Sequence, residues 1–338
     1  MACIKVAAPC KINLHLSVGE RRADGYHNLE SLFQALDFGD SLDLEFLEER
    51  DRCDIRVNSR LPGPGFQLPP EENIVYKAVS LFRRRTGFDR GLRITLEKRV
   101  PPGGGLGGGS SDAAAVLGAL DTLAGTDLGP AELRDLALAL GSDVPFFLAG
   151  PPGAEGNSRV FCGGAAWVSG RGERIVPLAG PRPRPVVLVN PGFPSPTGEA
   201  FRRLDKWRAR AGAGRRAVSG PLSGAGNGAG TESAALPGAE ALIRALDAEP
   251  GDWPYRNDFL PVFCEGTGEE AARYRRIISA LRNGGAGFAG LSGAGSTCFG
   301  VFNEGGSAKK TAQLLSAQGF LVYVTFFLAR SPFRVLKC

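Results

Sequence analysis

Hydrophobic and polar residues alternate along residues 12–18: Ile12, Leu14 and Leu16 fall on one face, Asn13, His15 and Ser17 on the other. Period two is the mark of a half-buried strand. Residues 3–8 read as a shorter strand before it, joined through Ala8-Pro9-Cys10-Lys11, so Lys11 and Asn13 share a face. The stretch ERRADGYHN, with Asp24-Gly25 at its tip, predicts a turn. Further strands are expected over 31–36, 41–47 and 54–57, together making an antiparallel sheet punctuated by Gly and Asp. A Pro/Gly-rich loop follows over 61–70. The spacing then changes. Ile74, Ala78, Leu81 and Phe82 predict a helix over 73–85 with Asn73 as its cap. Alternation returns through Leu92, Ile94 and Leu96, predicting a strand over 92–100 that ends in a run of glycines.

Beyond that run, residues 113–124 read as a helix closed by Gly125. Residues 130–140 read as a second helix, with Pro130 in its first turn and Gly141 after its end. Short strands are expected at 160–162, 165–169 and 173–178. The Pro/Arg-rich stretch 179–185 separates two units, 1–180 and 181–338. The second unit starts with an apolar strand at 186–190 and a helix at 197–210. Residues 212–237 are Gly/Ala/Ser-rich and too poor in apolar side chains to order a core, so they read as a mobile insertion. A helix at 239–246 follows. The segment 257–264 leads into a long helix to about residue 283, with Ala271, Tyr274, Ile277, Ile278 and Leu281 on one face. The stretch 290–302 is a second Gly/Ser-rich turn entering an apolar strand. A helix at 308–318 and a strongly apolar strand at 320–328 close the chain.

Composition narrows the class. A 338-residue chain with 43% hydrophobic and 22% charged residues is globular. The net charge of +5 is mild, and the run Arg83-Arg84-Arg85 lacks the interleaved aromatics of a nucleic-acid surface. A small anionic ligand fits this balance equally well, and neither nucleic acid nor membrane is expected as a partner. No apolar run is long enough to span a bilayer, and the N-terminus lacks a signal-peptide pattern. Seven cysteines without C-x-x-C spacing indicate neither a disulfide framework nor a zinc site, so a reducing cytoplasm is expected.

The candidate chemistry centres on residues 101–111, PPGGGLGGGSS. So many glycines supply no packing; they supply bare N–H groups and freedom to wrap a ligand. The following SSDAAA starts a helix, with Ser110 or Ser111 as N-cap. A glycine loop entering a helix N-terminus is an anion site. The G-x-x-x-x-G-K-[ST] phosphate loop is excluded, because no Gly-Lys pair occurs. G-x-G-x-x-G matches at Gly103, Gly105 and Gly108, but without the following strand and acid that a dinucleotide site needs. The loop alone leaves dinucleotide and ATP both open. Elsewhere, Asp143 stands in the loop GSDVPFF between a helix end and an apolar segment. It can be a proton acceptor, and Lys11 can hold a reacting hydroxyl, but from these residues alone a loop-end carboxylate and a strand-end surface lysine are equally open readings.

Three blocks in order resemble the GHMP kinases: APCKINL at 8–14, PPGGGLGGGSS at 101–111 and LSGAGSTC at 291–298. Within that family DGYHNLES, GSDVPFF and RNDFLPV are similar to the branch acting on a cytidine-diphosphate-linked methylerythritol. The resemblance implies a two-domain α+β fold. Its N-terminal domain would be like ribosomal S5 domain 2 and its C-terminal domain an α/β sandwich, with the active site in the cleft between. It implies an ATP-dependent kinase phosphorylating a 2-hydroxyl on the route to isoprenoids, with Mg2+ accompanying ATP, in a monomer or weak homodimer. Lys11 and Asp143 become the catalytic pair. Pro101, Gly103, Gly104, Gly105, Leu106, Gly107, Gly108, Gly109, Ser110 and Ser111 become the ATP loop. Asn73 and Lys98 are placed like adenine-pocket residues. Tyr26, His27 (mainly by its backbone) and Phe201 would hold the cytosine, and Asn13 and Thr197 the diphosphate and erythritol hydroxyls. Homoserine or mevalonate kinase is the rival activity, although those small acceptors need no base sandwich. A nucleotide-binding sensor is the rival class, and it needs neither Lys11 nor Asp143.

Overall fold

A computed structural model describes residues 3–61, 69, 72–149, 164–211, 238–328 and 336–337. The expected strand at 160–162, the segment 212–237 and most of the Pro/Gly-rich loop lie outside the described residues. The chain forms two compact units. The first comprises Met1–Ile12, Phe33–Pro183 and Thr325–Cys338; the second comprises Asn13–Leu32 and Arg184–Val324. The change near residue 183 falls close to the boundary read from the sequence. The hairpin segment Asn13–Leu32 belongs with the second unit as well, because the strands that carry it are long.

The expected short strands at 3–8 and 12–18 are one strand, β1 (Cys3–Arg21), and those at 31–36 and 41–47 are one strand, β2 (His27–Leu47). Pro9 does not break β1. Its outer neighbour β11 (Leu336–Lys337) pairs with Ile4 and Lys5 among the described residues, and further along the glycine loop takes over, with Lys11 N–H donating to Leu106 C=O at 2.9 Å. Gly39 does not break β2 either. A Cβ there would collide with the Ala8 carbonyl oxygen, so it marks a close backbone approach rather than a turn. The strand β3 (Cys53–Ser59) pairs in parallel with β4 (Gly91–Lys98), which corrects the all-antiparallel expectation. Helix α1 (Ile74–Thr86) is the crossover between them, so both strands run the same way. The sheet order is β11-β1-β2-β4-β3, with β5 (Ala165–Gly170) pairing β2 and β6 (Arg174–Leu178) pairing β5.

Asn73 caps α1 as expected, its side chain accepting from Val75 N–H at 2.9 Å. Helix α2 is longer at its start than expected, Gly108–Ala124, and is buried without a break from Ser111 to Asp121. Its alanines and Gly118 present little side chain, so neighbours can press against it from several sides. Helix α3 (Pro130–Leu140) completes a core that includes Val75, Phe82, Ala113, Leu117, Phe146 and Phe147.

In the second unit, β7 (Pro185–Asn190), β8 (Phe288–Leu291), β9 (Cys298–Val301) and β10 (Leu321–Phe326) form a sheet in the order β10-β7-β9-β8. It carries helices α4 (Thr197–Ala211), α5 (Ala239–Arg244), α6 (Phe259–Cys264), α7 (Glu269–Asn283) and α8 (Gly305–Ala317). The face of α7 read from the sequence, Ala271, Tyr274, Ile277, Ile278 and Leu281, is buried. The closing strand is less buried than its apolar sequence suggested. As an edge strand, β10 leaves Val324 and Phe326 exposed. Residues 12–16 are buried on both faces, not one; Asn13 and His15 are as covered as Ile12 and Leu14. Each polar side chain there has a protein partner: Asn13 donates to Ser31 Oγ at 2.9 Å, and His15 Nδ1 accepts from Arg256 N–H at 3.3 Å. Cys3 is disulfide-bonded, which departs from the expectation of no disulfide framework, whereas among the described residues Cys10, Cys53, Cys264 and Cys298 are free. No described helix is long and apolar enough to cross a membrane.

Candidate active site

The glycine run at 101–109 forms a loop with Gly103, Gly105 and Gly107 all at positive φ (66°, 75° and 68°). Alternating left-handed residues turn successive N–H groups to one side, which makes a concave anion site. Leu106 is buried and anchors the loop. The cap of α2 is Gly107, not Ser110 or Ser111, and Ser111 N–H donates to Gly107 C=O at 2.9 Å. A left-handed glycine turns the chain into the helix without side-chain help, which carries both serines into the first turn. Ser111 Oγ is buried there with no hydrogen-bond partner among the described residues.

Lys11 and Asp143, expected as a pair, are brought together: Lys11 Nζ lies 3.5 Å from Asp143 Oδ2. The Lys11 side chain is 4% exposed, whereas Asp143 is 32% exposed. Asp143 precedes the 3-10 turn Val144–Leu148, where Val144, Pro145, Phe146 and Phe147 are buried and pin it. Lys11 Nζ also sits 4.5 Å from the centre of the Phe33 ring, a cation–π contact in a dry setting. A Cβ on Gly107 would come within 3.1 Å of Phe147 Cζ and 3.2 Å of Lys11 Cε. The loop, the lysine and the turn carrying Asp143 are therefore in mutual contact.

Lys98, expected at the adenine, has a buried ammonium group held by Asp40 Oδ2 at 2.6 Å and Asp112 Oδ2 at 2.7 Å. Asp40 Oδ1 accepts from the N–H groups of Arg99 and Val100 as well. Burial, together with the like charge of Asp40, pushes the Asp112 carboxyl up to about 7 against the pull of Lys98. A Cβ on Gly108 would be 2.8 Å from Val100 Cγ1 and 3.3 Å from Lys98 Nζ. The cluster thus lies directly under the start of α2. Sequence reading missed Asp40 and Asp112. Asp112 lay in plain view beside the serines, but nothing local singles out Asp40.

In the second unit, the tip of the β1–β2 hairpin is fixed by Arg22 N–H to Tyr26 C=O (2.7 Å) and Tyr26 N–H to Asp24 Oδ1 (3.1 Å). The Tyr26 side chain nonetheless stands in solvent, 53% exposed. His27 is buried, and its ring stacks on Phe201 with centroids 4.9 Å apart and planes at 30°. Its Nε2 lies 2.9 Å from Asp205 Oδ1. Thr197, the first residue of α4, is exposed. Asn13 is buried with its amide nitrogen donated to Ser31.

The turn between β8 and β9 has Gly293 and Gly295 at positive φ and closes on itself through Ser292 N–H to Thr297 C=O at 2.9 Å. The RND block at 256–258 explains its rigidity. Asn257 Nδ2 donates to the carbonyls of both Leu291 and Gly293 at 2.8 Å. Asp258 accepts from Val18 N–H, Arg208 and Arg256. Ser195 Oγ, just before α4, donates to Ala294 C=O at 2.6 Å. Thr297 Oγ1 and Tyr274 OH are buried near the turn without hydrogen-bond partners among the described residues.

A glycine phosphate loop, a buried lysine and a loop carboxylate on such an α+β frame are the equipment of a small-molecule kinase. The family model for the GHMP kinases N terminal domain matches residues 73–151, and that for the GHMP kinases C terminal matches residues 239–319. The chain is 36% identical over 320 residues to 4-diphosphocytidyl-2-C-methyl-D-erythritol kinase of Treponema pallidum (strain Nichols), covering 94% of this chain and 96% of that one. It is 38% identical over 334 residues to the enzyme of the same name from Anaeromyxobacter dehalogenans (strain 2CP-C), covering 96% and 89%. A crystal structure of 4-(cytidine 5'-diphospho)-2C-methyl-D-erythritol kinase superposes with a TM-score of 0.67 at 32% identity, covering 95% of this chain and 98% of that one. The chain belongs to the 4-diphosphocytidyl-2-C-methyl-D-erythritol kinase family of the GHMP kinases.

Proposed function

We infer that the chain transfers the γ-phosphoryl group of ATP to the 2-hydroxyl of 4-diphosphocytidyl-2-C-methyl-D-erythritol, giving the 2-phosphate and ADP on the methylerythritol phosphate route to isoprenoids. The observation that carries this reading is the Lys11–Asp143 pair, 3.5 Å apart, packed against a loop with three left-handed glycines.

Phosphoryl transfer is mainly positioning and charge stabilisation. The N–H groups of the loop from Pro101 to Ser111 receive the phosphates of ATP. Mg2+ enters with ATP as part of that substrate; among the described residues no three metal-ligating side chains converge. Ser111 Oγ, buried and without a hydrogen-bond partner among the described residues, is a ready donor to a phosphate oxygen or ligand for its magnesium. Asn73 and Lys98 serve the ATP side from behind, by fixing the starts of α1 and α2. The acceptor oxygen forms its bond to Pγ as the bond from Pγ to the β–γ bridging oxygen breaks. Asp143 takes the hydroxyl proton, and Lys11 steadies the negative charge that develops on the oxygen. In the second unit, Tyr26, His27 and Phe201 receive the cytosine, and Asn13 and Thr197 the diphosphate and erythritol hydroxyls.

The test is ADP release from purified protein with ATP and, separately, the cytidylyl methylerythritol, homoserine and mevalonate. Turnover is expected with the first acceptor alone. Turnover only with homoserine or mevalonate would replace this reading with the rival kinase activities.

A further inference from the structure

Phe201 and Asp205 lie four residues apart on α4, so they share one face of the helix, one turn apart. Both reach the same residue. Phe201 stacks on the His27 ring, and the Asp205 carboxylate meets its Nε2 at 2.9 Å. Phe201 is itself braced edge-on by Phe259, with centroids 5.0 Å apart and planes at 84°. His27 is therefore held from two sides, with a side chain only 4% exposed, while Asp205 keeps 35% of its side chain exposed. An ionised carboxylate only accepts, so the proton at this contact belongs to Nε2 of His27. A half-exposed acid is not needed to close the core. Among the described residues, its directed contact is with His27, the residue that begins β2.

We propose that Asp205 is a positioning residue of the base site: by fixing the His27 ring against Phe201 it sets the polar edge that distinguishes cytosine from uracil. The inference rests on the reading of His27 and Phe201 as the cytosine site. Aromatic stacking accepts either pyrimidine, because each offers a π-face. Discrimination comes from hydrogen bonds along the base edge, where cytosine carries an amine and uracil a carbonyl. Those bonds require the His27 segment to stay in place. Losing Asp205 leaves the ring stacked but free to turn.

The experiment compares the full-length protein with Asp205→Ala and Asp205→Asn, using calorimetric titration with CDP and with UDP. Asp205→Ala is expected to weaken CDP binding about tenfold, the scale of one directed hydrogen bond to a charged group, and to leave UDP binding within about threefold. KM for the cytidylyl acceptor rises in step, whereas kcat and KM for ATP hold. Asn still accepts from Nε2–H, so Asp205→Asn is expected to keep most of the preference for CDP. If Asp205→Ala binds CDP as the parent does, or loses CDP and UDP alike, the positioning role is wrong. If the parent protein binds ATP but not CDP, the cytidine reading itself is wrong and this inference goes with it.

Discussion

At the residue scale the central arrangement is an ammonium group with almost no water around it, 3.5 Å from a carboxylate that is a third exposed. The asymmetry suits the division of labour. In the proposed mechanism Lys11, kept dry, would act with its charge at full strength, and Asp143 is open enough to take a proton from an arriving hydroxyl. Asp143→Asn keeps the shape and removes the base, so kcat should fall by ~10² or more with KM for ATP little changed. Steady-state kinetics check this, and near-normal turnover in the variant would remove Asp143 from the mechanism. Strand parity and loop position alone left Lys11 and Asp143 as readily a surface lysine and a loop-end acid; it was the resemblance to the GHMP kinases that singled them out as a pair, and the structure sets them 3.5 Å apart. Asp205 could have been found from its i, i+4 spacing to Phe201. The buried partnerships of Asn13 and His15 could not. Alternation says which side of a strand is polar, but not whether protein or water will cover it.

At the element scale the glycine loop behaves as a turn with a required geometry. Gly107 sits at φ 68° with Lys11 and Phe147 almost touching the position a Cβ would take. Gly107→Ala therefore adds left-handed strain of about 1–2 kcal/mol, seen as a lower unfolding midpoint. It also shifts Lys11, and misplacing a catalytic group by a fraction of an ångström should lower kcat about tenfold or more. A variant that is destabilised but turns over normally would show that the loop does not position Lys11. Most helices were readable from apolar spacing and caps, as Asn73 and Pro130 show. The strands were read too short, because Pro9 and Gly39 look like breaks when no partner strand is in view. The start of α2 was read late for a related reason. Serines advertise a cap, but a left-handed glycine supplied the turn three residues earlier.

On the scale of the whole molecule, stability carries a mark of these buried polar residues. Burial, with a smaller push from the Arg256 charge, lowers the His15 pKa from 6.5 to about 4. Its folded value lies below its unfolded one, so between these pH values the unfolded chain binds the extra proton. The contribution of neutral His15 is present above pH 6.5 and is lost as pH falls toward 4, up to about 3 kcal/mol. Denaturant unfolding of the parent and of His15→Gln across pH 7 to 4 measures it. The difference between the two proteins should shrink as pH falls, and a constant difference would mean that His15 does not titrate as a buried neutral group. The division into two units was partly legible, since the composition change near residue 180 marks one crossing. The exchange of Asn13–Leu32 into the second unit was not, because it depends on how far β1 and β2 extend.

That extension has a consequence for how the chain can change over generations. From Cys3 to Arg21 the strand is unbroken, so every side chain takes its direction from a count of residues. Lys11, Asn13 and His15 are odd members of that count; Ile12, Leu14 and Leu16 are even. Adding or removing a single residue before Lys11 would exchange the two sets, sending the ammonium group and the amide toward the positions of the aliphatic side chains. The segment can drift in spelling, but hardly at all in length.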